Sequence, residues 1–203
     1  MRLICYNIHK GMDAFRRFTL FQLIKYLKSL DADVICLQEV LYYQFKIMKL
    51  YLKMDGIFGL HVNNRKMKFG ICILSKKKIK ESNHILLSSK KEQRGLLSID
   101  TGEIIIINTH LGLDSEERKI QISEILDFVR CKHKESVICG DFNERNINLY
   151  FYKDMAKYFC KDKKPTFNKY RIDYVFFTTN IKAKSYEVED VFYSDHFPII
   201  ADI

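Results

Sequence analysis

The sequence predicts a mixed α/β domain in which helices cover the faces of β-sheets. Three observations support this fold class: short apolar runs rich in Ile and Val recur along the chain, amphipathic helical patterns lie between several of them, and one tight turn joins two runs as a hairpin. The 203 residues suit a single domain over 1–203, and 47% hydrophobic residues with only 8 Gly and 2 Pro argue against disorder. We therefore expect one packed core region.

Eight runs have the length and the β-branched content of buried strands. They cover residues 2–7, 33–39, 69–75, 94–100, 103–110, 136–142, 172–178 and 196–203. The sequence DTGE at 100–103 has the composition of a tight turn, so the fourth and fifth runs are predicted to form a hairpin.

The clearest helical pattern covers 115–131, where apolar residues from Ile122 to Val129 repeat at the spacing of one helix face. Asp114, followed by Glu117 three residues later, resembles a capping box at the start of this helix. Three further helices are predicted at 17–30, 42–53 and 148–159.

The charge balance is basic: 34 Lys and Arg against 25 Asp and Glu give a net charge of +9. Such a charge favours approach to polyanions such as nucleic acid, although a solvated basic surface would explain it equally well.

Six cysteines occur without a C-x-x-C pair, and four of them (Cys5, Cys36, Cys72 and Cys139) lie inside apolar runs, where free thiols pack as small hydrophobic groups. Reduced thiols indicate the cytosol. The N-terminal residues lack the apolar region of a signal peptide, and no apolar run reaches the length of a membrane span. We therefore expect a cytoplasmic protein without a transmembrane segment.

Polar residues stand at the ends of six of the eight predicted strands. They are Asn7, Glu39, His110, Asp141, Asn143, Asp173, Asp195 and His196. Asp and Asn commonly end strands as turn formers, so each residue taken singly has an ordinary structural explanation. Together they offer carboxylate and amide oxygens for a hard cation such as Mg²⁺ and imidazoles for proton transfer or phosphate contact, whereas zinc would ask for Cys and His at short spacing.

Six motifs carrying these residues resemble, in order, those of the endonuclease/exonuclease/phosphatase superfamily, which includes deoxyribonuclease I, exonuclease III, neutral sphingomyelinase and the inositol polyphosphate 5-phosphatases. They are YNIHKG (6–11), LQEV (37–40), NTHLG (108–112), GDFN (140–143), IDYVF (172–176) and SDHFPI (194–199). The resemblance runs from Asn7 to Pro198 and so covers nearly the whole chain.

The resemblance implies a four-layer αββα sandwich of two mixed, mainly antiparallel sheets flanked by helices, with the site at one rim of the sheets. Glu39 would be the principal ligand of Mg²⁺, for which Mn²⁺ could substitute. Asn7 and Asp195 would lie near the metal or the scissile phosphate.

The remaining five residues are implied to perform the chemistry. Asp141 and Asn143 would position the attacking water and hold the phosphate. His196, oriented by Asp173, would act as a base or as a proton-bearing phosphate contact, and His110 would face the phosphate from the other side.

The resemblance, together with the basic charge, favours a metal-dependent phosphodiesterase, a monomeric nuclease with DNA or RNA as substrate. The segment NTHLG, with its histidine at position 110, resembles the corresponding segment of the deoxyribonuclease I, sphingomyelinase and inositol-phosphatase branches. The segment YRIDY at 170–174 resembles instead a segment of abasic-site endonucleases. The alternatives are a phosphatase, a phospholipid or inositol phosphodiesterase, an abasic-site repair endonuclease, and a non-catalytic nucleic-acid-binding protein. His9 has no assigned role but lies two residues from Asn7, and we expect Arg118 and Gln121 to be structural.

Overall fold

In the computed structural model, which describes residues 1–65 and 67–203, twelve strands form two six-stranded sheets. The first sheet contains β1 (Arg2–Asn7), β2 (Val34–Leu41), β3 (Asp55–Asn63), β4 (Lys68–Ser75), β11 (Ser185–Val188) and β12 (Ile199–Asp202). The second contains β5 (Glu81–Leu87), β6 (Arg94–Asp100), β7 (Ile105–His110), β8 (Ser136–Asp141), β9 (Tyr152–Asp154) and β10 (Asp173–Thr178).

The strand order is β11-β12-β1-β2-β4-β3 in the first sheet and β5-β6-β7-β8-β10-β9 in the second. Each sheet contains one parallel pair, β1 with β2 and β7 with β8. The other pairs are antiparallel, and they include the predicted hairpin of β6 and β7. Both sheets are therefore mixed and mainly antiparallel, as predicted.

Helices cover the outer faces of the two sheets. Among the described residues they are α1 (Leu20–Ser29), α2 (Tyr42–Leu52) and α3 (Ser115–Arg130), whereas the single turn α4 (Met155–Tyr158) packs Met155 and Ala156 into the cluster between the sheets. One apolar cluster, which includes Cys36 and Val137, fills the space between the sheets. A second packs α1 and α2 on the first sheet, and a third packs α3 on the second sheet. The αββα sandwich is thus confirmed.

The predicted capping of α3 is present in part. The Asp114 carboxylate accepts a hydrogen bond from the Glu117 backbone N–H at 2.9 Å, which satisfies one of the free donors at the helix start. The Glu117 carboxylate instead accepts from Gln121 Nε2 at 2.9 Å and from the Lys90 backbone N–H at 3.2 Å.

The helix predicted at 148–159 is wrong in extent. Residues Tyr152–Asp154 form β9, because their backbone pairs with β10 from Phe176 to Thr178. The Asp154 carboxylate then accepts a hydrogen bond from the Ala156 backbone N–H at 3.0 Å, so helical structure begins only after this cap. Four strands of the structure, β3, β5, β9 and β11, were not among the eight predicted.

The four cysteines in apolar runs are buried free thiols, as predicted, whereas Cys131 and Cys160 are exposed free thiols. Within the described residues, no helix is long and apolar enough to cross a membrane.

Candidate active site

The sheet topology brings the predicted site residues to one rim of the sandwich. In the first sheet the parallel strands β1 and β2 end side by side, with Asn7 opposite Gln38, one residue before Glu39. In the second sheet β7 and β8 end together, with His110 opposite Asp141. Asp173 begins the antiparallel β10 opposite Asp141. The chain just before β12 brings Asp195 and His196 to the same edge, because β12 runs antiparallel to β1.

Asp141 is the buried centre of this rim. Its Oδ2 accepts a hydrogen bond from Asn7 Nδ2 at 2.9 Å, which joins the two sheets, and its Oδ1 accepts from the Asn143 backbone N–H at 2.9 Å. The same Oδ2 lies 3.5 Å from His110 Nε2 and 3.7 Å from His196 Nε2. One carboxylate oxygen is therefore surrounded by an amide and two imidazoles.

Local backbone geometry explains why the motif around Asp141 needs its small and amide residues. A Cβ on Gly140 would lie 2.0 Å from the Thr109 carbonyl oxygen, so β8 can approach β7 closely only with glycine there. Asn143 adopts a φ of +50°, a left-handed conformation that Asn tolerates well, and its Nδ2 donates to the Leu111 carbonyl at 2.9 Å. The turn after β8 is thereby fixed to the turn after β7.

His196 has the partner that the sequence predicts: its Nδ1 lies 2.9 Å from Asp173 Oδ2. Thr166, which the sequence analysis did not identify, accepts hydrogen bonds at its Oγ1 from the backbone N–H groups of Ile172 at 3.1 Å and Asp173 at 3.0 Å. The Phe167 ring packs on the imidazole with 4.6 Å between ring centroids. The segment before β10 thus holds both members of the His196–Asp173 pair.

His110 has a different partner, the buried Arg94 at the start of β6. Arg94 Nη1 lies 3.1 Å from His110 Nδ1, and the same guanidinium pairs with Glu92 at 2.8 Å. No sequence motif indicated Arg94. The signal available was its position at the beginning of a strand, one residue before Gly95, which is paired with His110.

The two imidazoles differ in charge because of these partners. Burial lowers the pKa of His196, but the nearby carboxylates of Asp173 and Asp141 outweigh burial and raise its pKa to about 10. Burial, followed by the positive charge of Arg94, holds the pKa of His110 well below its usual value. Burial and the Asp173 carboxylate raise the pKa of Asp141 to about 7, against the opposing effects of His196 and Asn7. The site therefore presents one cationic and one neutral imidazole.

Glu39 and Asp195 are the accessible carboxylates of the rim, with side chains 22% and 26% exposed. Glu39 lies at a β-bulge in β2, where the pairing register shifts between Leu37 and Val40, and it adopts a φ of +54°. Its Oε2 lies 3.4 Å from Lys10 Nζ. Asp195 Oδ1 lies 3.6 Å from His9 Nδ1 and accepts a hydrogen bond from Ser194 Oγ at 3.2 Å.

Among the described residues, one buried cluster and the two accessible carboxylates are the candidates for holding a metal ion. Asp141, Asp173 and His196 have ligand atoms within 4.8 Å of one another, but all three side chains are buried, and His196 Nδ1 already lies 2.9 Å from Asp173 Oδ2. Glu39 and Asp195 offer accessible hard oxygen donors, which suit Mg²⁺ or Mn²⁺. Glu39 and Asp195 stay the predicted metal ligands, with the buried group as the alternative. The amide of Asn7 is engaged at both ends, since its Oδ1 accepts from the His9 backbone N–H at 3.0 Å.

Arg118 and Gln121 on α3 hold the loop that follows His110. Arg118 Nη1 donates to the Gly112 carbonyl at 3.1 Å, and Gln121 Oε1 accepts from the Gly112 backbone N–H at 2.8 Å. Both side chains are buried and make the structural contacts expected of them.

A four-layer sandwich with a rim of carboxylates, amides and imidazoles defines a class of hydrolases that act on phosphoester bonds. The chain belongs to the endonuclease/exonuclease/phosphatase family, whose family model matches residues 5–196. Enzymes of this family generally use divalent metal ions.

Individual relatives are more distant. The uncharacterized protein YbhP of Escherichia coli strain K12 is 27% identical over 170 residues, which cover 70% of this chain and 66% of YbhP, just under two thirds of its length. The mannosyl-6-phosphatase of Bacteroides thetaiotaomicron has a TM-score of 0.81 at 19% identity, with 100% of this chain and 98% of that chain covered. D. rerio TDP2 complexed with single-strand DNA product has a TM-score of 0.79 at 18% identity, with 99% and 97% covered. These two likenesses show the fold alone.

Proposed function

We propose that the protein is a Mg²⁺-dependent phosphodiesterase, specifically a nuclease that hydrolyses DNA or RNA. The observation that carries this proposal is the buried Asp141 carboxylate, which is contacted by Asn7 from one sheet and by His110 from the other, with His196 opposite. A structural aspartate needs no such set of partners on one oxygen. The net charge of +9 supports a polyanionic substrate, because neutralised phosphates dominate nucleic-acid affinity.

In this proposal Asp141 accepts a hydrogen bond from the attacking water. The hydrogen bonds from Asn7 Nδ2 and the Asn143 backbone N–H fix the carboxylate so that it points at one position. Such fixed orientation removes the reorganisation that water would otherwise require in the transition state.

The two histidines stabilise the phosphate as it gains charge. His196, held by Asp173, donates a hydrogen bond from Nε2 to a phosphate oxygen, and His110 faces the phosphate from the second sheet with Arg94 behind it. One well-placed donor of this kind is worth about 10²–10³ in turnover.

Glu39 and Asp195 would hold the divalent cation, with Asn7 close by. When bound, such a cation screens the phosphate charge and stabilises the leaving oxygen.

A plasmid-nicking assay with Mg²⁺, repeated with excess EDTA, tests the proposal. We expect cleavage that EDTA abolishes, and a loss of at least about 100-fold in both Asp141→Asn and His196→Ala. The matched controls are Asp127→Asn and His133→Ala, which make the same changes at residues of α3 and the following turn, outside the site. Cleavage that persists in EDTA, or that survives both site substitutions, would overturn the proposal.

The substrate class is tested separately with a panel of phosphoesters. Purified protein with Mg²⁺ or Mn²⁺ is incubated with single- and double-stranded DNA, RNA, abasic DNA, bis-p-nitrophenyl phosphate and a set of phosphomonoesters. We expect cleavage of at least one nucleic acid and of the model diester. Phosphate release from monoesters, with every nucleic acid intact, would replace the nuclease by a phosphatase on the same fold.

A further inference from the structure

The turn that follows Asn7 points two basic side chains at the two accessible carboxylates of the rim. Lys10 Nζ lies 3.4 Å from Glu39 Oε2, and His9 Nδ1 lies 3.6 Å from Asp195 Oδ1. Neither residue has a role assigned from the sequence. A lysine beside a carboxylate is common on protein surfaces, so the significance of Lys10 depends on how firmly the protein holds it there.

The backbone of this turn is held in an uncommon conformation. His9, Lys10 and Gly11 have φ values of +44°, +56° and +71°, and only one of the three is glycine. Left-handed residues other than glycine carry an energetic cost, and they are concentrated at functional sites.

A buried glutamine ties Lys10 to the strand that carries Glu39. Gln44 Nε2 donates to the Lys10 carbonyl at 2.6 Å, and Gln44 Oε1 accepts from the Leu41 backbone N–H at 3.0 Å, two residues after Glu39. A Cβ on Gly11 would come within 2.8 Å of Gln44 Nε2, so glycine is required for this close approach. The turn and the bulge of β2 are thus built as one unit.

The Lys10 ammonium has a second contact and remains accessible. It lies 5.0 Å from the centre of the Phe69 ring on β4, a cation–π distance, and its side chain is 34% exposed. A lysine head is a compact point charge with three rotatable donors, so a small rotation can redirect it from Glu39 to a group entering from solvent.

We propose that Lys10 is a substrate-anion contact that shares Glu39 with the divalent cation. In the free protein its ammonium neutralises Glu39. When the cation binds Glu39, repulsion between the two positive charges turns the ammonium toward an oxygen of the substrate phosphate. This inference rests on the proposed function, because it takes Glu39 as the metal-binding carboxylate.

Two binding measurements without turnover test the role of Lys10. Isothermal titration calorimetry of the full chain gives the Mn²⁺ affinity, and then the affinity of inorganic phosphate at saturating Mn²⁺. Lys10→Met removes the charge while keeping an unbranched side chain. We expect Lys10→Met to bind Mn²⁺ about 10-fold more tightly and phosphate about 10-fold more weakly. A change of opposite sign in the two affinities is not expected from misfolding, and Lys68→Met measures how much of it the loss of any one lysine charge would produce.

Two variants serve as controls. Lys68→Met removes the same charge from a lysine whose ammonium lies 5.9 Å from the Tyr42 ring, and it should leave both affinities unchanged. Lys10→Arg keeps the charge, so both of its affinities should lie within about threefold of those of the original protein. This variant can be interpreted even if Lys10→Met does not fold.

Glu39→Gln distinguishes a failure of the role of Lys10 from a failure of the proposed metal site. Loss of Mn²⁺ binding in Glu39→Gln, with both affinities unchanged in Lys10→Met, would overturn the role of Lys10 and leave the metal site standing. Mn²⁺ binding that is undiminished in Glu39→Gln would overturn the proposed metal site and the inference with it.

Discussion

Asn108 on β7 joins the two sheets beneath the site, and its removal should destabilise the protein strongly. Its side chain is fully buried. Asn108 Nδ2 donates to the carbonyls of Leu37 at 3.0 Å and Cys72 at 2.9 Å, and its Oδ1 accepts from Gln38 Nε2 at 2.6 Å. All three partners belong to the first sheet, and two of them lie beside the bulge that positions Glu39.

The size of the effect follows from the groups left behind. Asn108→Ala leaves two buried carbonyls and one buried amide N–H without their partner. Each buried group that loses its hydrogen bond costs about 1–3 kcal/mol. Local relaxation keeps the total near the lower end, so we expect a loss of about 3–5 kcal/mol in the free energy of unfolding.

Urea unfolding followed by far-UV circular dichroism measures this loss. With a urea dependence of about 2–3 kcal/mol per molar, the midpoint should fall by about 1–2.5 M. The matched control is Asn180→Ala, because the Asn180 amide donates to Glu135 at the surface and its loss should cost less than about 0.5 kcal/mol. Equal midpoints for the two variants would refute the reasoning that the Asn108 contacts hold the sheets together.

Three further predictions concern groups around the core and the site. Asp173→Asn should lower kcat by about 100-fold or more with little change in KM, since Asp173 orients His196, and an unchanged kcat would contradict that role. Burial, followed by the nearby His84 and Arg94, lowers the pKa of His61 to about 3. Between pH 6.5 and 3 the imidazole is therefore protonated in the unfolded chain but neutral in the folded protein, so the free energy of unfolding falls as the pH falls. His61→Gln should flatten this dependence by up to about 1.4 kcal/mol per pH unit in urea titrations, and parallel curves would argue against it. Asp154→Asn leaves the buried Arg171 guanidinium without its bidentate partner and should lower the free energy of unfolding by about 3–5 kcal/mol. Thermal unfolding would detect this loss, and a stability equal to that of the original protein would show the pair to be unimportant.

The accuracy of the strand predictions depended on position in the sheet. All eight predicted strands are present, and each has neighbours on both sides. The four that were missed, β3, β5, β9 and β11, are the four edges of the two sheets. An edge strand pairs on one side only and is often partly exposed, so its sequence carries polar residues and glycine in place of a continuous apolar run. β5, ESNHILL, is such a sequence.

The site residues that lie at the ends of predicted strands could be identified from the sequence. Residues such as Asp141 and His196 stand out because a strand end does not otherwise need both a carboxylate and an imidazole. Arg94 and Lys10 could not be singled out in the same way, since each is one basic residue among many in a chain with 34 Lys and Arg. Their significance depends on long-range contacts with His110 and Glu39, and the local sequence pattern does not encode such contacts.

The buried thiols can report which layers of the sandwich separate when the protein opens. Cys5, Cys36 and Cys139 lie in the cluster between the sheets, whereas Cys72 lies beneath the helices of the first sheet. Burial raises the pKa of each of these thiols, so each reacts only when its layer separates. After the two exposed thiols have been labelled, mass spectrometry can count how many of the four buried thiols react. Labelling of one further thiol means that the helices have lifted away, and labelling of three means that the sheets have parted.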